Sequence, residues 1–169
     1  MKPPLNSPAP PGQARRLVPL VLFALAMGWL EAVVVVYIRG LIGIARTGMM
    51  PASDEMMRRL GSLPWLLGTE QTRELSTIVM LAAVAWLAAD RAITRFGAFL
   101  ISFGVWDIAY YLALYALLQW PPSFTTMDIL FLIPPGAWWY QPVWLPIAVS
   151  AAMIALGLRL FMNRTPGLT

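Results

Sequence analysis

Long apolar runs alternate with short polar interruptions along this chain. Residues 17–38 (LVPLVLFALAMGWLEAVVVVYI) carry one charge, Glu31. Residues 76–94 (STIVMLAAVAWLAADRAIT) carry two, both near the end. Residues 96–119 (FGAFLISFGVWDIAYYLALYALLQ) carry one, Asp107, and residues 143–162 carry one, Arg159. Each run is close to the roughly 20 residues a helix needs to cross about 30 Å of hydrocarbon. None shows the narrow apolar stripe of a soluble helix. The pattern predicts an all-α membrane protein with about four transmembrane helices. The second extends outward by a helical turn or two from Thr69. A signal peptide at Leu17 is set aside, because the hydrophobicity continues to Ile38.

The connections carry their own signals. Residues 1–16 (MKPPLNSPAPPGQARR) are proline-rich and lack apolar area, so a disordered cytoplasmic tail is expected there. Residues 17–164 are then a single transmembrane domain, without an internal repeat. In residues 39–75, Ser53 is expected to cap a short surface helix with Asp54 and Glu55 in its first turn. Trp65 is expected at the headgroups. Residues 120–142 (WPPSFTTMDILFLIPPGAWWYQP) hold an apolar piece too short to cross, stopped by Pro134-Pro135-Gly136. A re-entrant or interfacial segment is expected, with Asp128 capping a DILFLI helix and Trp120, Trp138, Trp139 and Tyr140 as interfacial anchors.

Composition sharpens the class. The chain is 59% hydrophobic and 12% charged, about half the charge of an ordinary soluble domain. With no cysteine and no histidine, thiolate zinc and iron–sulfur sites, disulfides and Ser–His catalysis are excluded. No cofactor and no metal are expected. Met49, Met50, Met56 and Met57 could offer thioethers to Cu(I), but paired methionines on a surface helix more often dip into lipid. The net charge of +4 sits mainly at the ends of apolar runs, which reads as topology and anionic lipid contact rather than nucleic-acid binding.

By the positive-inside rule, Lys2, Arg15, Arg16, Arg91, Arg95, Arg159 and Arg164 put both termini in the cytoplasm. Arg39, Arg46, Arg58, Arg59 and Arg73 run against that assignment, since they fall in the first, outer connection.

The acids within these runs are the candidate chemistry. A carboxylate at a span centre costs about 2.5–3.5 kcal/mol on insertion scales, so Asp107 and Glu31 must face protein or water. Tyr110 and Tyr111 lie one turn from Asp107 and can reach it, and Tyr115 continues the face of Tyr111. Glu70, Arg73 and Glu74 share a helical face at the outer mouth of the second span. Glu31, Glu70, Arg73, Glu74, Asp107, Tyr110, Tyr111 and Asp128 are expected to line an outward polar cavity, with Arg73 and Arg39 as counter-charges. The same residues could instead tie helices together.

The runs FGVWDIAYYLALYALLQWPPS and DILFLIP, with TRELSTIVMLAAVAWLA before them, resemble a group of small bacterial inner-membrane proteins of uncharacterised function. The likeness spans about residues 70–146 and implies a bacterial cytoplasmic-membrane location, with no activity. Three roles follow from the residues themselves. The leading one is a non-enzymatic accessory or assembly subunit, its buried polar groups mating with a membrane-protein partner. Next is a small proton- or cation-coupled transporter or channel, as a homo-oligomer, and last an enzyme acting on a lipid-like substrate. The lipid bilayer is the one partner common to all three.

Overall fold

Proline and glycine punctuate the chain where its helices begin and end. The structure, a computed structural model, describes residues 11–44 and 51–162. Five helices dominate: α1 (Pro11–Leu41), α2 (Ser53–Gly61), α3 (Leu66–Ala88), α4 (Ala92–Leu118) and α5 (Trp144–Met162). Three are long and apolar enough to cross a membrane: α4, α5 and the Arg15–Leu41 part of α1. Although α3 has 23 residues, Gln71, Thr72, Arg73 and Glu74 dilute the apolar character of its first half.

Two boundaries differ from the sequence expectation. Pro11–Arg16 belong to α1 rather than to a disordered tail. Proline suits the first position of a helix, and Arg16 reaches Asp90 at 2.7 Å. Residues 1–10 lie outside the described residues. The second long helix ends at Ala88, not Thr94. Ala89 turns extended, and the backbone N–H of Arg91 donates to Thr94 Oγ1, starting α4. The connection is short enough to hold α3 and α4 antiparallel. At the other end of α4, Gln119 adopts the left-handed conformation (φ 54°) and Pro121 and Pro122 forbid continuation.

The central element is α4, which packs against α5, α1 and α3. Its glycines permit the contacts. A Cβ at Gly97 would lie 2.7 Å from Phe161 N and 2.8 Å from Gly157 O. Gly104 meets the Ser150 carbonyl in the same way, and on α1 Gly28 meets the Trp106 carbonyl. Lipid tails are as apolar as leucine, so such close backbone packing is what membrane helices use to associate. The outward faces carry Leu22, Leu30, Leu75, Val79, Leu87 and Leu112, all exposed.

Between α4 and α5 the chain forms a small antiparallel hairpin. Its strands are β1 (Met127–Ile129) and β2 (Tyr140–Pro142), with Asp128 opposite Gln141. This replaces the expected DILFLI helix. The tip is fixed from α3: Leu132 N–H donates to Glu74 at 2.9 Å, and Gln71 donates to the Leu132 carbonyl at 3.2 Å. A backbone segment satisfied by side chains can sit at depth without being helical. Ser53 is likewise the first residue of α2, preceded by Ala52 without a side-chain cap. Trp120 is 1% exposed, under the Arg39 guanidinium, so it is no interfacial anchor. Trp65 and Trp138 are exposed as an anchor requires.

Gly97→Ala should lower the unfolding temperature of the detergent-solubilised protein, at a cost of about 1–3 kcal/mol from overpacking. Gly68→Ala, which meets nothing within 4 Å, should leave stability unchanged or raise it. Equal effects would mean that α4 and α5 do not depend on close approach.

Candidate functional site

All eight residues singled out in the sequence line one cavity of about 100 Å³. They are Glu31 from α1, Glu70, Arg73 and Glu74 from α3, Asp107, Tyr110 and Tyr111 from α4, and Asp128 from the hairpin. Arg39, Thr77 and Trp106 join them, with Val35, Ile38, Met56, Leu60 and Phe131 supplying apolar wall. A single water needs roughly 10–15 Å³ in such a measure, so the space accommodates several waters or a small solute.

Helical spacing brings the acids together. Glu70, Arg73, Glu74 and Thr77 fall at intervals of three and four, which is one face of α3. From that face Arg73 donates to Glu70 at 2.7 Å and to Glu31 across on α1. Thr77 Oγ1 donates to the other Glu31 oxygen at 3.4 Å. Glu31, Glu70 and Glu74 are each 9% exposed or less. Uncompensated carboxylates there would be costly; a shared guanidinium with directed hydrogen bonds makes them tolerable.

The α4 side is wired differently from the sequence expectation. Tyr111 donates its hydroxyl to Asp128 at 3.0 Å rather than to Asp107. Asp107 Oδ2 instead accepts from Ser150 on α5 at 2.8 Å. Tyr115 is 54% exposed and leaves the cavity face. Asp128 also accepts from the Ile129 N–H at 2.9 Å, so it holds a strand instead of capping a helix. Burial raises the Asp128 carboxyl to about 6, opposed by the Tyr111 hydroxyl, the Ile129 N–H and the Arg39 charge. Arg39 is 2% exposed and lies 4.5 Å from the centroid of Trp120, a cation–π geometry.

Sequence reasoning missed Ser150, the Leu132 backbone and Gln71. Ser150 had a signal, as the only hydroxyl residue in α5. The Leu132 contact had none, because it depends on how the hairpin tip docks. Of the four methionines, Met56 is buried against Leu60 and Leu66, and Met57 is exposed. Met49 and Met50 lie outside the described residues. Among the described residues, no three acids come together in a way that could hold a metal ion.

No protein-family model matches the chain, and no match is found among curated proteins or among solved structures.

Arg73→Met should destabilise by about 3–5 kcal/mol, because two buried carboxylates lose their partner. Adding Glu31→Gln should recover part of that, with a coupling of about 1–3 kcal/mol in a double-mutant cycle. Additive losses would show that the bridge carries no energy. Asp128 titrates with the opposite sign to a salt-bridged acid. Its folded pKa is raised, so the folded state holds a proton that the unfolded state has lost between about pH 4 and 6. Its contribution to stability therefore falls as pH rises through that window. Asp128→Asn should flatten the difference curve, read from unfolding temperatures across that range; an unchanged slope would contradict it.

Proposed function

We propose that this chain is a multi-pass protein of a bacterial inner membrane, with α3 as the fourth span, both termini cytoplasmic and the cavity facing outward. Its proposed role is to take up a small cationic solute or a proton from the outer side, in the manner of a small transporter. The observation that carries this reading is the convergence of acids. The chain has eight Asp and Glu in total, and five of them line the one cavity: Glu31, Glu70, Glu74, Asp107 and Asp128. Two arginines, Arg39 and Arg73, accompany them. With all groups ionised, five negative and two positive charges leave three net negative charges facing the space. The rest of the protein is basic enough to bring the whole chain to +4.

An accessory subunit would use buried polar groups to meet a partner's span. Here four of the five cavity acids are tied to groups that build the fold, and Asp107 has Ser150 on one oxygen alone, which supports a solute site on that acid. The basic residues divide. Of the arginines in the first connection, Arg39 is buried and Arg73 is turned into the fold, Arg59 is half-buried and Arg58 is exposed. Arg59 donates to the Ile42 and Gly43 carbonyls at 3.3 Å and to Glu55 at 2.6 Å. Arg15, Arg16, Arg91 and Arg159 are exposed at the opposite end. Intramembrane acids that are neither lipid-facing nor fully paired are where transporters load their cargo.

Reconstituted vesicles with a pH-sensitive dye inside test the role. Inorganic cations, small amines or an acid pulse added outside should drive a signal above that of empty vesicles. Asp107→Asn should abolish it while leaving the helical content intact. Wild-type vesicles that match empty ones, together with a stoichiometric foreign subunit in native mass spectrometry of the gently extracted protein, would contradict the proposal.

A further inference from the structure

We propose that the turn between α3 and α4 holds an anionic phospholipid, with the lipid phosphate on the Arg95 guanidinium. The site lies at the opposite end of the bundle from α2 and is independent of what the cavity carries.

Charge is distributed unevenly between the two ends. Of the eight Asp and Glu in the chain, five line the cavity and two, Asp54 and Glu55, lie on α2. Asp90 alone is left for the end where α1 and α4 begin, and Arg16 meets it at 2.7 Å. Arg15, Arg91, Arg95 and Arg159 share that end with no further acid. The other end is balanced. Arg58 and Arg59 both meet Glu55, and Arg73 meets Glu31 and Glu70. A positive excess beside apolar helix faces is complementary to an anionic membrane surface.

Charge alone would attract such lipids diffusely; Arg95 gives the attraction a place. Its guanidinium carbon lies 3.6 Å from the centroid of the Trp86 ring on α3, and its Nε donates to the Ala89 carbonyl at 2.9 Å. A side chain stacked on one face and hydrogen-bonded at one nitrogen has lost much of its rotamer freedom before any ligand arrives. Nε is its donor to the described residues, and the two terminal nitrogens form the planar fork that matches two phosphate oxygens. Arg91 lies one turn earlier, where its carbonyl accepts from the Arg95 N–H at 2.8 Å. It is exposed, so a second positive charge stands near the first.

The surroundings decide between a lipid and a free anion. Trp86 is 63% exposed, and Leu87, Ile93 and Phe96 are exposed as well. Helix α4 is long and apolar enough to cross a membrane, so Ile93 and Phe96 meet hydrocarbon near its first turns. Trp and Arg at the end of a span sit at headgroup level. A phosphate held there carries acyl chains that cover those apolar side chains. All phospholipids have the phosphate. The positive excess disfavours a headgroup with its own ammonium and selects a net-anionic one, as in phosphatidylglycerol.

The test is native mass spectrometry of the purified full-length protein in a neutral maltoside detergent. Equal amounts of palmitoyl-oleoyl phosphatidylglycerol and of the phosphatidylcholine with the same chains compete for it. The first lipid bound should be phosphatidylglycerol, preferred about tenfold. An arginine near a membrane surface is worth about fivefold in attraction, so Arg95→Gln should lower the preference by about that factor. Arg95→Lys keeps the charge and loses the fork; Trp86→Leu keeps the arginine and removes the ring beneath it. Each should lower the preference about twofold or more. Arg58→Gln, at the other end, should leave it unchanged. Glycerophosphoglycerol, the headgroup without chains, should not displace the lipid at equal concentration. Unfolding temperatures without lipid show which variants are folded, and Trp86→Leu serves if loss of the Ala89 contact unfolds Arg95→Gln. Equal binding of the two lipids would overturn the proposal. So would a preference that survives Arg95→Gln, or one that Arg95→Lys and Trp86→Leu both preserve, since diffuse charge would then account for it. Displacement by the free headgroup would assign a soluble anion and overturn the lipid.

Discussion

A guanidinium held between two carboxylates from different helices is the constraint on which the remaining structure depends. Arg73 on α3 joins Glu70 on its own helix to Glu31 on α1. Neither acid could stay buried in an apolar bundle without it, and Arg73 could not stay buried without them. The bridge fixes which face of α3 turns inward. That face also carries Glu74, and Glu74 determines where the hairpin tip rests through the Leu132 N–H. The polar cavity is thus the space left between groups that had to meet each other. The small residues at Gly28, Gly97 and Gly104 then bring α1 and α5 close enough to α4 to enclose it.

Much of this was legible because membrane helices leave few alternatives. Glu31 and Asp107 had to face inward, since lipid would penalise either by several kcal/mol. The i, i+3, i+4 spacing of Glu70, Arg73 and Glu74 put them on one face without any structure. Convergence on one cavity follows from those two facts together. What could not be read is the pairing. Tyr111 lies within a turn of Asp107, yet its hydroxyl goes to Asp128, seventeen residues on. Helical spacing identifies which neighbours are possible and is silent about competitors brought in by a loop. The segment DILFLI failed for the same reason. Its apolar composition fits a short helix or a strand equally well, and the choice lay with Tyr140–Pro142 opposite and Glu74 below. The end of α3 was misplaced because an Asp-Arg pair inside an apolar run did not look like a stop; the Thr94 hydroxyl makes it one.

The same wiring separates stability from function among the acids. Glu31, Glu70 and Glu74 hold helices and the hairpin in place, and changing them changes the fold. Asp107 is tied only to Ser150, so its second oxygen is the part of the cavity wall with the least structural duty. Trp106 beside it shares that property, because its ring is packed among Phe103 and Phe131 while its N–H meets nothing. The cavity thus has a half on α3 that ties the fold together and a half on α4 with fewer ties.

The absence of cysteine from the chain makes the most direct measurement simple, because single-cysteine variants need no background replacement. Cysteine at Val35 or Ile129, both on the cavity wall, is treated in intact cells with a membrane-impermeant thiol reagent. Labelling from the outer side, slowed when the cavity is occupied, is the result the account predicts. Labelling from the cytoplasmic side alone, or none from either side in an otherwise folded protein, would contradict an outward-facing cavity and the uptake role built on it.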